Sequence, residues 1–238
     1  MDRGEVELGS HISKIFQAKA KNEKDKETVQ PTVINDSLIV KYQHRYNKEN
    51  KIFDQDDEPI WNLTHLSLSY KNIWIIDNLM GMEKLQKLQL DNNIIEDIQN
   101  LGHLVNLTWL DLSFNQIKNI KGLDTLTKLT DLSLYDNCIE KIEGLDKLTE
   151  LKVLSFGKNK VTDLDATIQY LKDLKNQLQV LNMADNPFLL TGNQSDQGYK
   201  YQAVYRLKNL KYLDYILIDD SLRQEAEENC KDQQDLND

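Results

Sequence analysis

An α/β solenoid of about six short repeats is the fold this 238-residue sequence predicts, and three observations carry the prediction. First leucines at 63, 85, 107, 129 and 151 are spaced by 22 residues each, and a sixth follows at 178. Within a unit the apolar register is positions 1, 4 and 6, most cleanly in Leu107-Thr-Trp-Leu110-Asp-Leu112. An asparagine then closes the pattern at Asn93, Asn115, Asn137, Asn159 and Asn186. A fixed period of this length marks units that cannot bury an apolar face alone and must stack on one another.

The elements follow in order. Residues 1–34 carry six acidic and six basic residues without periodicity and read as a flexible charged arm, with Ile15 and Phe16 as a possible docking pair. Residues 35–60 form the N-terminal cap. Asn35, Asp36 and Ser37 are strong N-cap types ahead of a helix over roughly 36–46, which covers the open end, and an acidic loop, 54–59, leads to the first strand.

Residues 61–190 are the solenoid, and its period and pattern are those of a leucine-rich repeat. Leucines at positions 1, 4 and 6 point inward, and the position-9 Asn satisfies backbone groups at the inward turn, repeat upon repeat, as a ladder. Positions 11 (Ile73, Ile95, Ile117, Ile139, Val161) and 14 (Ile76, Ile98, Ile120, Ile142, Leu164) fill the core from the convex side. Position 16 reads Asn78, Asn100, Gly122, Gly144, the residue types that tolerate positive φ, so a left-handed turn opens a short convex helix or 3₁₀ turn there. The fifth repeat is 27 residues long, and its convex segment, 165–176, is predicted to be a true helix. Lys71 replaces the ladder Asn in the first repeat, as suits an edge.

Residues 191–220 form the C-terminal cap: a polar loop, a helix from Tyr199, and one last strand ending near Asp214. Residues 221–238 read as an acidic helical tail with little apolar face, since Leu222, Ala226 and Leu236 make no heptad.

Composition limits the function classes. The net charge is −10, and nine acidic against two basic residues from Asp214 to Asp238 account for −7 of it. That balance provides no footprint for nucleic acid and no attraction to anionic lipid. No apolar stretch approaches a membrane span, and the N-terminus lacks the apolar core of a signal peptide, so the expectation is a soluble intracellular protein. Cys138 and Cys230 are expected as free thiols, and the sequons at Asn35, Asn62, Asn106 and Asn193 as chance. The four histidines have no metal-ligand spacing, and neither a phosphate-binding glycine loop nor a nucleophile elbow is present. The expectation is therefore no catalysis, no cofactor, no metal and no small-molecule substrate.

Binding is the alternative, and it points to strand positions 3, 5, 7 and 8, which lie outside the core set. Tyr70, Trp109, Phe114 and Tyr135 read as an aromatic cluster in the concave face, ringed by Asp91, Asp111, Asp131 and Asp136. Exposed aromatics are typical interface anchors, and the acids favour positive charge on a protein partner.

The 22-residue unit resembles the repeats of the phosphatase-1 regulatory subunit and of many ciliary proteins. A closer likeness lies between the leucines: Leu85-Gln-Lys-Leu-Gln-Leu-Asp-Asn-Asn, Trp109-Leu-Asp-Leu-Ser-Phe-Asn, Gly122-Leu-Asp-Thr-Leu and Asp131-Leu-Ser-Leu-Tyr-Asp-Asn, with Val33-Ile-Asn-Asp-Ser-Leu-Ile and Tyr212-Leu-Asp-Tyr at the ends. Over about 31–220 the chain resembles the family of subunit 3 of the nexin–dynein regulatory complex. That resemblance implies a cytoskeletal protein of the cilium or flagellum axoneme. Its partners would be other dynein regulatory complex subunits and neighbouring axonemal proteins on doublet microtubules, in the assembly that links doublets and restrains inner-arm dynein. The alternative is a soluble regulator with the same solenoid, such as a phosphatase-targeting or dynein-preassembly factor.

Overall fold

The computed structural model describes residues 30–49, 59–174, 178–189 and 197–235. Residues 1–29 of the expected 1–34 arm, 54–58 of the 54–59 acidic loop and most of the 191–198 loop lie outside the described residues. From Thr32 onward the described chain forms one compact unit.

Six three-residue strands repeat the register of the sequence: β1 (His65–Ser67), β2 (Lys87–Gln89), β3 (Trp109–Asp111), β4 (Asp131–Ser133), β5 (Val153–Ser155) and β6 (Val180–Asn182). They pair in parallel and in sequence order, so that Leu66, Leu88, Leu110, Leu132, Leu154 and Leu181 stand side by side. The position-1, -4 and -6 side chains are buried throughout, Phe156 and Met183 replacing leucine at position 6 of the last two repeats. Removing each such side chain from water stabilises the fold by roughly 1.5–3 kcal/mol. The columns at positions 11 and 14 close the core from the opposite side.

Each convex segment of repeats 1–4 is a pair of i→i−3 turns rather than a helix; in repeat 2 Leu104 N–H donates to Leu101 O and Leu107 N–H to Leu104 O, both at 2.9 Å. The turns open at position 16, where Asn78, Asn100, Gly122 and Gly144 have φ of 56°, 58°, 72° and 73°. The backbone there runs against the preceding repeat. Asn100 Nδ2 donates to Ile76 O at 2.8 Å, whereas a Cβ at Gly144 would fall 2.4 Å from Ile120 O.

The lengthened fifth repeat carries α2 (Leu164–Asp173), preceded in the chain by α1 (Asp36–Glu49). Asp163 caps α2 by accepting from Ala166 N–H at 2.9 Å, and Leu164, Thr167, Ile168 and Leu171 form its buried stripe. Tyr170 pins it to the fourth repeat: its hydroxyl accepts from Leu145 N–H at 2.8 Å and donates to Asp146 at 3.1 Å. Burial pushes that phenol up to about 12.

At the N-terminal end the ordered cap begins earlier than the arm boundary at 34 suggests. Thr32 bridges to Ile73 in parallel, and Ile34 is fully buried while its carbonyl accepts from Asn78 Nδ2 at 2.8 Å. Three β-branched residues after Pro31 extend the chain beside Ile73 until Asn35 caps α1, accepting from Leu38 N–H at 2.9 Å. Lys71 is explained by this cap. Its ammonium sits 3.9 Å from the centre of the Tyr42 ring on α1 and donates to Ser69 O.

The C-terminal end departs more from expectation. Helix α3 (Gly198–Arg206) leads to β7 (Tyr212–Leu213), which pairs in parallel with β6, but a second short strand, β8 (Ile216–Leu217), folds back antiparallel on β7. Asp214 and Tyr215 make the two-residue turn with φ of 47° and 67°. A bulky Tyr at positive φ hid the hairpin, whose usual signal is Asn-Gly or Asp-Gly. The tail is also docked: α4 (Asp220–Asp235) packs on α3 with Ala226 fully buried and Cys230 6% exposed. Leu222, Ala226 and Cys230 form an i, i+4, i+8 stripe, which the sequence hides because it is completed by a cysteine where a large aliphatic would be expected.

Candidate functional site

The parallel register arranges the outward-facing side chains in columns one strand apart. Position 3 runs His65, Lys87, Trp109, Asp131, Val153, Val180, Tyr212, and position 5 runs Ser67, Gln89, Asp111, Ser133, Ser155, Asn182. Position 7 contributes Asp91, Ser113, Tyr135 and Gly157. Position 8 contributes Tyr70, Asn92, Phe114, Asp136, Lys158 and Asp185, every one with φ between 54° and 58°. This left-handed column escapes sequence reading because Tyr70, Phe114 and Lys158 are not residues that choose such a conformation. The chain leaves the strand and turns into the Asn position there, and the ladder behind it imposes the geometry.

The ladder amides are nearly saturated. Asn115 Nδ2 donates to Leu90 O, Leu112 O and Ser113 O at 3.0, 3.0 and 3.1 Å, while its Oδ1 accepts from Ile95 N–H at 3.0 Å. Asn93, Asn137, Asn159 and Asn186 repeat the pattern. Each therefore joins two repeats through groups that water does not reach.

The four aromatic candidates do not form one cluster. Phe114 and Tyr135 meet edge to face with centroids 5.6 Å apart, an arrangement their quadrupoles favour. The ring of Tyr135 has room because its neighbour in the column is Gly157, where a Cβ would lie 3.0 Å from it. Among the described residues Trp109 and Tyr70 make no ring contact with this pair: Trp109 is half-buried in the position-3 column, and Tyr70 stands two repeats away in column 8 with 73% of its surface exposed.

The acidic candidates divide as well. Asp91 is buried, accepting from Ser69 Oγ at 2.5 Å and Asn92 Nδ2 at 2.7 Å. Asp111 accepts from Ser113 N–H at 2.9 Å and Ser113 Oγ at 2.5 Å. Burial raises its carboxyl above the ordinary range, with the Ser113 bonds opposing and the Asp91 charge adding. Asp136 is ion-paired with Lys158, whose ammonium is held charged to higher pH by that contact. Asp131 accepts from Thr130 Oγ1 at 2.6 Å and faces the groove in column 3. Much of the expected ring of carboxylates is thus engaged within the sheet.

A feature absent from the sequence reading lies beside Trp109. A cavity of about 320 Å³ opens on β1–β3, lined by His65, Leu66, Ser67, Lys87, Gln89 and Trp109. The His-Lys-Trp succession at position 3 would have revealed it, had column 3 been read along the stack and not repeat by repeat. Burial, and then the charge of Lys87, lower the pKa of His65. Among the described residues no group of three His, Cys, Asp or Glu is placed to hold a metal, and no helix is long and apolar enough to cross a membrane. Cys138 and Cys230 are free thiols, and burial raises that of Cys230.

A stacked parallel sheet with one strand per repeat and a ladder asparagine in every repeat after the first defines a class, and comparison gives it its name. A leucine-rich repeat family model matches residues 67–237, and the chain belongs to that family. No curated protein matches the sequence. Among solved structures the chain is similar to an internalin (InlF) from Listeria monocytogenes, at 29% identity and a TM-score of 0.51 over 70% of this chain and 47% of that one. It has the fold of a leucine-rich-repeat protein from Leptospira interrogans, at 24% identity and a TM-score of 0.51 over 64% of this chain and 37% of that one. It is also similar to TLR13, solved in complex with ssRNA13, at 28% identity and a TM-score of 0.50 over 55% of this chain and 19% of that one. The chain spans less than half the length of each of these. Solenoids of this family present an extended face on which proteins bind.

Proposed function

We propose that this chain is a non-catalytic protein–protein scaffold that takes its partner on the strand face of repeats 1–4, and that its setting is the axoneme of motile cilia or flagella. The observation that carries the binding reading is the Phe114–Tyr135 pair: two large aromatics, one 44% exposed, held edge to face outside the core. Aromatics that are rigid and accessible and that do not fill the core are the usual anchors of an interface. The axonemal setting rests on the residues between the leucines, whose likeness over about 31–220 is to a nexin–dynein regulatory complex subunit. In that setting the scaffold helps link doublet microtubules and regulates inner-arm dynein through its contacts with other subunits of the complex.

Two measurements test the two parts. Changing Trp109 and Tyr135 together to Ala weakens partner capture from axonemal extract while leaving the melting temperature nearly unchanged; undiminished capture refutes the binding face. The tagged chain remains with salt-washed axonemes and cross-links to dynein regulatory complex subunits. Release into the detergent-soluble fraction refutes the axonemal setting and favours a soluble regulator.

A further inference from the structure

The cavity on β1–β3 is lined by side chains that can donate hydrogen bonds, two of which, Lys87 and Trp109, can only donate. Lys87 brings an ammonium, Gln89 an amide, Trp109 an indole N–H, His65 an imidazole and Ser67 a hydroxyl, all on three strands in register. Among the described residues no side-chain hydrogen bond or ion pair engages Lys87, Gln89 or the Trp109 indole. Two carboxylates on the same face are turned to other work, Asp91 to Ser69 and Asn92 and Asp111 to Ser113. His65 Nδ1 and Ser67 Oγ are bonded to Thr64 and Ser69, so in a chain of net charge −10 a lysine without an ion pair, beside an uncommitted amide and indole, is a local exception.

We propose that this pocket binds the carboxylate side chain of a Glu or Asp presented by the partner protein. The docking face is the one proposed above; the pocket adds the partner's chemistry and its direction. A volume of about 320 Å³ with Leu66 and Trp109 in its walls suits a short aliphatic stem ending in a carboxylate. A single ammonium matches a single negative charge, whereas a nucleic-acid backbone needs a row of cations to displace its counterions. Asp131 lies two strands beyond Lys87 in the same column, about 10 Å away at the usual strand spacing. A partner segment with an acid at one end and a base about 10 Å further on is accepted in one direction and opposed in the other.

The pocket is tested without the natural partner by titrating the full chain with N-acetylglutamate amide and following the Trp109 indole N–H and the Gln89 side-chain amide by ¹⁵N NMR. Both signals shift and saturate in the millimolar range, and the glutamine analogue binds at least about tenfold more weakly, because a charge-assisted bond is lost. Lys87→Met abolishes the response and Lys87→Arg retains it. Absence of a saturable shift, an equal response to the glutamine analogue, or tighter binding of inorganic phosphate overturns the assignment. If the glutamate response holds while the Trp109 and Tyr135 double variant still captures partner, the docking face falls and the pocket stands. The opposite pair of results removes the pocket alone.

Discussion

Asn137→Ala is the sharpest probe of what holds the repeats together. The Asn137 amide donates to Leu112 O, Leu134 O and Tyr135 O at 3.0, 3.1 and 3.3 Å and accepts from Ile117 N–H at 3.0 Å. Alanine removes all four contacts, but their consequences differ. Leu112 O keeps a bond from Asn115, and Leu134 O keeps one from Asn159, because each such carbonyl is shared by two rungs. Ile117 N–H has no second acceptor, and a buried donor left unsatisfied costs about 1–3 kcal/mol. Adding the weakened carbonyls brings the expected loss to about 2–4 kcal/mol. Urea unfolding measures it as a lower midpoint at unchanged slope. Amide exchange at Ile117 locates it, with protection falling there more than at Leu88 in the neighbouring strand. Asn137→Asp keeps the acceptor for Ile117 but turns a carboxylate oxygen toward three carbonyls, so it loses at least as much near neutral pH. A loss below about 1 kcal/mol for alanine, or unchanged protection at Ile117, would refute the ladder as the source of inter-repeat stability.

Other positions give further tests. Gly144→Ala sets a Cβ 2.4 Å from Ile120 O at φ 73°, whereas Gly122→Ala sets one 3.0 Å from Ile98 O. Both lose the roughly 1–2 kcal/mol of a left-handed residue, and Gly144→Ala loses more in urea; equal losses would mean the close backbone approach is not there. Ala226→Leu overfills the α3–α4 contact by about 1–3 kcal/mol and speeds proteolysis of the tail before the repeats are cut. The Tyr170 phenol rises from 10.0 to about 12 on folding, so its contribution is complete below pH 10 and is lost as the pH climbs through 12. Tyr170→Phe removes that loss from a pH series of thermal midpoints, and an unchanged series would refute the assignment.

The repeats were legible because period 22 states the same physical demand five times over, and a sixth survives one long insertion. Position 16 was legible too, since Asn and Gly declare their conformation. Column 8 has the same left-handed backbone and stayed hidden, because packing behind it compels Tyr70, Phe114 and Lys158 into a conformation they would not choose. The capping helices and the strand at Tyr212–Leu213 were legible as well, but two details at the ends were not, for a related reason. Thr32–Ile34 and the Asp214–Tyr215 hairpin are stabilised by neighbours far away in sequence, the first by Ile73 and the second by Met183, Ala184 and Tyr199, which all bond to Asp214. Local propensity holds none of that information. The aromatic and acidic residues of the site were found by type, but which of them remain available depended on hydrogen bonds across strands.

That distinction changes what the face is expected to recognise. Counting acids suggests a surface that seeks positive charge. Tracing their bonds removes Asp91 and Asp111 from the exposed set and neutralises Asp136 with Lys158, which leaves Asp131 as the acid of the position-3 column. Two strands away in that column stands Lys87, with Trp109 between them. Identical backbones stacked at one spacing turn a column of side chains into a ruler, and here the ruler carries a cation, an aromatic ring and an anion in order. A face that reads order along its axis discriminates partners by direction as well as by composition. Exchanging Lys87 and Asp131 (Lys87→Asp with Asp131→Lys) reverses that order while conserving net charge, and should invert the preferred polarity of a docking peptide. A preference that survives the exchange would show that shape at Trp109, Phe114 and Tyr135 alone selects the partner.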